Sequence, residues 1–408
     1  MDYYRLLYKC NKATGFLAES VETGKLFMVI AVNTRLLIPD KIDGITWFTR
    51  ETLHRITRNH PEHQFLFLFD RPYSEEFIYS SNIQPVFISP PARHPFLWYY
   101  WFEHAVKRTL EKYKPDLFLS PDGFLSLSSN VLSLPVIHDI NFFHRPEDLP
   151  FLVRRYYNKF FPLYAKKACR IITVSDFSRQ DISKSFKINP YKIDVVFNGS
   201  NSFYSPLTPE EKKISKQTYA EGKDYFVFIG HLHPRKNVAN LLLAFNEFKK
   251  GFSSGMKLLI VGDSWFKTKE LKNILSGMDF RDDVIFYGKQ EPTAMHQILG
   301  GATALTYVSF FEGFGIPILE AMYCDTPVIT SNKTSMPEVA GEAAILVDPG
   351  SVDSIKNAML SISQNPDQQR QLIVKGQKQR EKFSWDKTAE KVWISIEKCL
   401  KEGPENLK

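Results

Sequence analysis

Glu312 and Glu320 stand eight positions apart in the segment Phe310-Phe-Glu-Gly-Phe-Gly-Ile-Pro-Ile-Leu-Glu320, with a Gly-Phe-Gly turn directly after the first acid. A carboxylate accepts hydrogen bonds from hydroxyl groups and cannot chelate phosphate, so the pair suits a polyol ligand. Gly313, Phe314 and Gly315 offer backbone amides, and the two glycines allow a ligand to approach closely. Pro317 marks a helix start just behind the turn. The free N–H groups and positive end of that helix point back at the turn and suit an anion. A diphosphate flanked by hydroxyl-bearing groups meets both demands. The spacing alone also fits a capped surface helix with two incidental acids.

Cations stand at a second place. Arg235 and Lys236 follow the apolar run Tyr225–Ile229 and Gly230, where a strand ends and a loop begins. An Arg-Lys pair on an open surface is simply solvated; at a strand end beside a glycine it is placed to neutralise a diphosphate. Each charge-assisted contact of that kind is worth about 1.5–3 kcal/mol when partly desolvated. His138 follows Val136-Ile137, at the end of a strand where parallel sheets bind ligands, although an isolated histidine there also fits a satisfied core residue. Asp139 beside it reads as a turn residue. A retaining hydrolase needs two acids about 5–5.5 Å apart flanking the bond. Glu312 and Glu320 instead straddle a loop and a helix. Neither an Asp-x-Asp motif nor a histidine–cysteine cluster is evident, so no obligatory divalent ion and no cofactor are expected.

These residues need a scaffold of strand ends. Apolar runs at Leu26–Val32, Phe65–Phe69, Val86–Ile88, Leu117–Leu119, Val136–Ile137, Ile171–Val174 and Val195–Phe197 read as buried strands. Helical patterns separate them, notably over 96–113. A polar segment from Ser205 to Asp224 marks a junction. Alternation resumes with strands at Tyr225–Ile229, Lys257–Val261, Val284–Phe286, Ala304–Val308, Val328–Ile329 and Ala344–Val347, and helices at 352–363, 367–382 and 385–401. The fold class is therefore α/β: two doubly wound, Rossmann-like units facing across a cleft. The expected units are 1–205 and 206–385, with 386–408 a terminal helix packing back toward the first.

The segment Glu312–Glu320 resembles the E-x7-E signature of retaining GT-B glycosyltransferases of family 4. Phe228-Ile-Gly-His-Leu-His-Pro-Arg-Lys-Asn237 is similar to the family's basic strand-to-loop segment, and Val136-Ile-His-Asp-Ile140 to its His-Asp strand end. Ile172–Ser178, Val196–Gly199, Ser335–Ala344 and Val347–Pro349 continue the resemblance, which spans roughly residues 26–395. It implies that Lys236 and Arg235 neutralise the donor diphosphate and that Glu312, with Gly313, Phe314 and Gly315, meets the hexose. It implies further that Glu320 holds the ribose and that His138 hydrogen-bonds the transferred sugar. Gly44 falls where the family often carries Gly-x-Gly facing the phosphates; here the sequence is Gly-Ile-Thr, without the second glycine. His231 stands where many members carry arginine, a charge that Arg235 would have to supply. The Pro-Arg-Lys-Asn loop and the His-Asp strand end are most similar to mannosyltransferase members, implying GDP-mannose as donor and a glycan or lipid-linked acceptor.

Composition sets outer limits. Hydrophobic residues make up 43% and charged residues 24%, as in ordinary globular proteins, but 33 Phe and 18 Tyr are many. Residues 1–205 hold 26 Lys and Arg against 20 Asp and Glu, whereas 206–408 hold 26 against 25, so the basic excess lies in the first half. The segment 151–170 has six basic and no acidic residues among many aromatics, a composition that suits either an anionic membrane or a rimmed core. Pro95–Phe102 is equally aromatic and reads as core. Cys10, Cys169, Cys324 and Cys399 are widely spaced, as in a reduced cytoplasmic protein. No run is long enough to span a membrane and the N-terminus lacks a signal peptide's apolar centre, so a cytoplasmic location, at most peripheral on the inner face of the membrane, is expected. A sugar-nucleotide epimerase shares the architecture, and a non-catalytic sugar-binding member shares the motifs; both stay open. A dehydrogenase lacks its GxGxxG, and nucleic-acid binding lacks a module.

Overall fold

The computed structural model describes residues 27–39, 44–252, 254–263 and 269–403. Cys10 and Leu26 lie outside them. Strands β1 (Val29–Asn33), β2 (Gln64–Phe69), β3 (Ile83–Phe87), β4 (Leu117–Ser120) and β5 (Leu132–Pro135) form an all-parallel sheet in the order β3-β2-β1-β4-β5. A short parallel ladder of β6 (Ile171–Thr173) and β7 (Ile193–Val195) extends it through a single bridge from Val136 to Ile172. The continuous apolar runs follow from burial on both faces. Phe65, Phe67 and Phe69 of β2 pack into one core, while Leu66 and Leu68 between them pack into another. The covering helices are α1 (Gly44–Asn59), α2 (Pro95–Tyr100), α3 (Lys107–Tyr113), α4 (Asn141–His144), α5 (Phe151–Lys167) and α6 (Asp176–Phe186).

The second half repeats the plan. Strands β8 (Tyr225–Ile229), β9 (Lys257–Val261), β10 (Val284–Tyr287), β11 (Ala304–Tyr307), β12 (Val328–Ser331) and β13 (Ala344–Val347) run parallel in the order β10-β9-β8-β11-β12-β13. Around them lie α7 (Pro209–Ala220), α8 (Val238–Gly251), α9 (Lys269–Ser276), α10 (Pro292–Gly300), α11 (Ile316–Tyr323), α12 (Met336–Ala340), α13 (Val352–Gln364) and α14 (Pro366–Arg380). The last helix, α15 (Trp385–Glu402), returns across the first half. Its Trp393 stacks on His60 at 3.6 Å, Thr388 donates to the Phe197 carbonyl, and Glu402 pairs with Arg170. Among the described residues, no helix is long and apolar enough to cross a membrane.

Four local expectations change. The polar stretch after Ser205 contains α7, opened by a capping box in which Thr208 accepts from the Glu211 amide and the Glu211 carboxylate accepts from the Thr208 amide. The expected strand at Val136–Ile137 lies beyond β5, which pairs over Leu132–Pro135. The helix expected over 96–113 is interrupted by a π-helical turn, Trp101–Val106, that turns the adjacent Trp101 and Phe102 together into the core. Pro95–Phe102 is otherwise not core: Phe96, Leu97, Tyr99 and Tyr100 are exposed.

The floor of the second half depends on one backbone contact. Gly230 and Gly262 follow β8 and β9 with φ of +149° and +147°, and a Cβ on Gly262 would stand 2.0 Å from the Gly230 carbonyl oxygen. Gly262→Ala is therefore expected to destabilise the fold by at least about 2 kcal/mol through combined strain and clash. Urea unfolding of the variant beside the parent measures this.

Candidate active site

In a doubly wound sheet, ligands bind beyond the C-terminal strand ends where the strand order reverses. The reversal falls between β1 and β4 in the first half and between β8 and β11 in the second. Both points open onto one cleft of about 900 Å³, inside the range of roughly 300–1,000 Å³ that small-molecule sites span. Gly44, His138, Arg235, Lys236, Glu312, Gly313, Phe314, Gly315 and Glu320 all line it, and so does His231. The sequence-derived candidates thus converge.

Beyond β8, a 3₁₀ turn at Pro234–Lys236 carries the cations. His233 Nδ1 accepts from the Arg235 amide and opens the turn, and the Asn237 side chain donates to the carbonyls of Val308 and Pro349 and closes it. Arg235 then reaches Glu312 Oε2 at 2.8 Å and the Phe311 carbonyl at 3.0 Å. Lys236 Nζ lies 2.6 Å from Glu312 Oε1, an ion pair rather than an aligned hydrogen bond, and donates to the Tyr307 hydroxyl at 2.5 Å. Burial alone would raise the Glu312 carboxyl, but Arg235 and Lys236 outweigh it and hold it at about 2. Burial lowers Lys236 to about 8 despite Glu312, while Glu312 and Asp139 overcome burial to raise Arg235. Two cations against one carboxylate leave this three-residue cluster with a positive surplus.

The glycine turn behaves as its composition requires. Gly315 adopts φ +98° as N-cap of α11, and Ser335 Oγ donates to the carbonyls of Glu312 and Phe314, holding the turn from behind. Gly313 sits where a Cβ would be 2.5 Å from the His138 carbonyl oxygen, so only glycine lets the two halves meet. Ser175 and Ser178 of the first half both donate to the Gly313 carbonyl. Gly44 is the first residue of α1, with Ile316 of α11 opposite it. Neither helix has an acid in its first turn among the described residues, and the starts of both line the cleft.

Glu320, one turn into α11, is buried. Burial pushes its carboxyl up to about 7, against a hydrogen bond with the Tyr204 hydroxyl that pulls it down. His138 donates through Nε2 to the Pro121 carbonyl at 2.9 Å and meets Phe48 edge-on. That bond fixes the tautomer, because a carbonyl oxygen only accepts. Asp139 accepts from the amide and side chain of Asn141, a local turn.

Several lining residues were not legible in sequence. Tyr204 and Tyr307 reach the two glutamates only through the fold. Asp122 belongs to a cluster at the first switch point, where it receives Asn33 Nδ2 at 2.7 Å and Arg35 Nε at 2.6 Å. Gly262, in Val-Gly-Asp directly after an apolar run, did carry a signal: a glycine closing a strand. Outside the cleft, His60, Glu62 and His63 bring potential metal-ligand atoms within 4.8 Å of one another, a grouping that the sequence reading did not single out.

Two Rossmann-like halves with facing switch points define the GT-B architecture. Residues 42–202 match the model for Glycosyltransferase Family 4, and residues 209–379 that for Glycosyl transferases group 1. The chain is 31% identical over 278 residues to O-antigen chain mannosyltransferase B of Escherichia coli, covering 68% of this chain and 73% of that one. It is 27% identical to O-antigen chain mannosyltransferase RfbU of Salmonella typhimurium, over 72% and 80% of the two chains. It therefore belongs to the family 4 glycosyltransferases, which sets aside the epimerase reading. The fold is shared with Anabaena HepE, solved in complex with UDP-glucose, at a TM-score of 0.69 and 17% identity over 90% of this chain and 99% of that one.

A raised carboxyl makes a testable demand on stability. Glu320 holds its proton more tightly folded than unfolded, so stability is lost as pH rises from its unfolded value of about 4.5 through about 7. Glu320→Gln is expected to stabilise the fold by about 2–3 kcal/mol at pH 8 and to lose that advantage near pH 4.5. Urea unfolding at the two pH values checks the sign.

Proposed function

We propose that the protein is a retaining mannosyltransferase that moves mannose from GDP-mannose to a hydroxyl of a glycan or lipid-linked acceptor in assembly of a cell-surface polysaccharide. The observation that carries this reading is the Arg235–Lys236–Glu312 cluster, net positive and buried at the mouth of the α11 N-terminus. The mannose donor and the polysaccharide context are supported by the two O-antigen mannosyltransferases that the chain resembles.

In this reading the donor diphosphate lies between the cations and the helix amides. Glu312, ionised at all relevant pH, accepts hydrogen bonds from the hexose hydroxyls. Glu320 accepts from the ribose, and His138 bonds the transferred sugar from the first half. As the C1–O bond to diphosphate breaks, the departing oxygen gains charge. Arg235, Lys236 and the α11 amides stabilise that charge more in the transition state than in bound donor, which is what accelerates the step. The acceptor oxygen forms its bond to C1 on the same face, and its proton passes to the departing diphosphate. The charge neutralisation that a divalent ion supplies elsewhere falls here to the two cations.

Calorimetry with UDP-, GDP-, ADP- and dTDP-sugars is the first test. GDP-mannose is expected to bind alone among them, and Lys236→Ala to weaken it by about 10- to 100-fold. Binding of a different nucleotide class would replace the donor assignment, and unchanged affinity in the variant would remove Lys236 from the site. With an acceptor in hand, the product anomer read by NMR should match the donor's, and turnover should persist in EDTA.

A further inference from the structure

We propose that His60, Glu62 and His63 form a binding site for a divalent ion of the zinc class, set against the terminal helix α15. The site lies outside the cleft and does not depend on the transfer reading. All three residues belong to the turn His60-Pro-Glu-His63 between α1 and β2. Two imidazoles and one carboxylate are a ligand set that zinc accepts, with water completing its four positions. Magnesium and calcium take oxygen ligands instead.

The distances fit such an ion. His60 Nδ1 stands 3.6 Å from Glu62 Oε1, and His63 Nε2 stands 3.4 Å from the same oxygen. Ligand atoms bound to a tetrahedral ion at about 2.0–2.2 Å stand about 3.4 Å from one another. The ligand atoms of all three residues lie within 4.8 Å of one another.

His63 supplies an independent reason. Its side chain is only 7% exposed, and its Nδ1 is buried without a hydrogen-bond partner among the described residues, while Nε2 faces Glu62. A buried imidazole in that state carries an unmet polar demand. An ion on Nε2 supplies the strong bond that the ring lacks.

The ligands are also fixed in advance. Both rings lie nearly parallel to the Trp393 indole of α15, His60 at 3.6 Å and 15° and His63 at 5.2 Å and 16°. The two imidazoles are parallel to each other within 7°. The Asn82 side chain donates to the carbonyls of His60 and His63, and the His63 amide donates to the His60 carbonyl, so the turn itself is pinned. Groups ordered before the ion arrives lose little freedom on binding it. Because α15 follows the second half and packs on the first, an ion that fixes the rings under Trp393 also tightens the seat of that helix.

Calorimetric titration of the full chain with zinc chloride, after EDTA treatment and dialysis, tests the site without donor or acceptor. Saturable binding is expected, and a large excess of magnesium should not compete. His60→Gln and Glu62→Gln should each weaken zinc binding at least about tenfold. The Glu62 side chain is 51% exposed, so the metal-free Glu62→Gln variant should unfold at the parent's temperature. Zinc should raise the unfolding temperature of the parent and shift that of the variants less. No saturable binding by the parent would overturn the proposal, and so would displacement of zinc by magnesium. Equal affinity in both variants would place the ion elsewhere on the chain and overturn it as well.

Discussion

The site turns on one buried carboxylate held between two cations. A glutamate taken out of water alone would take up a proton, and an unpaired arginine or lysine there would be strongly unfavourable. Together Glu312, Arg235 and Lys236 are stable and charged, with one cation in surplus within the cluster. This arrangement explains why the surrounding elements are so tightly specified. The 3₁₀ turn must deliver both basic side chains within a single step of chain, so Asn237 takes a left-handed conformation and ties the loop to Val308 and Pro349. The glutamate must arrive from the other direction, so Ser335 grips the carbonyls on either side of the Gly313–Phe314 step.

Closure between the halves is also polar and specific. The Gly313 carbonyl receives two serine hydroxyls from the first half, while Glu338 of the second accepts the first amides of α6 at Asp176 and Phe177. The carboxylate therefore caps a helix in the opposite half, satisfying amides that no residue of that helix can reach. Contacts of this kind add direction to an apolar seam in which Phe177 meets Phe311 and Phe197 meets Phe314. The apolar core continues from one half into the other, and the polar contacts fix the relative position of the two switch points.

Much of this was legible in the chain. Continuous apolar runs such as Phe65–Phe69 announced strands covered on both faces, and Glu312, Glu320, Arg235 and Lys236, singled out by type and position, line one cleft. What escaped was whatever depended on distance in space. Tyr307 lies 71 residues from Lys236, and Arg35 lies 87 from Asp122, so no local pattern joins them. The exposed aromatics of Pro95–Tyr100 escaped for another reason. Composition reads phenylalanine and tyrosine as core, and a helix of six residues is too short for its periodicity to say otherwise. Helix α7 was a missed signal rather than an absent one, since Thr-Pro-Glu-Glu spells a capping box before a segment with only a thin apolar stripe.

The two glutamates show how one fold sets two carboxylates to different ends. Both are buried and only eight residues apart, yet one is held near 2 and the other near 7. The difference lies in the partners. Glu312 ends a loop that meets two cations, whereas Glu320 projects from a helix toward a tyrosine that offers one neutral hydrogen bond. The first is committed to charge and keeps the basic loop in place whether or not a ligand is present. The second lacks any cation partner among the described contacts, so its ionised form is stabilised only when further donors arrive. Ribose hydroxyls are donors of that kind. In the donor-binding reading proposed above, a ribose that supplied those hydrogen bonds would relieve the cost of burying an ionised Glu320, so part of the binding free energy would come from that relief.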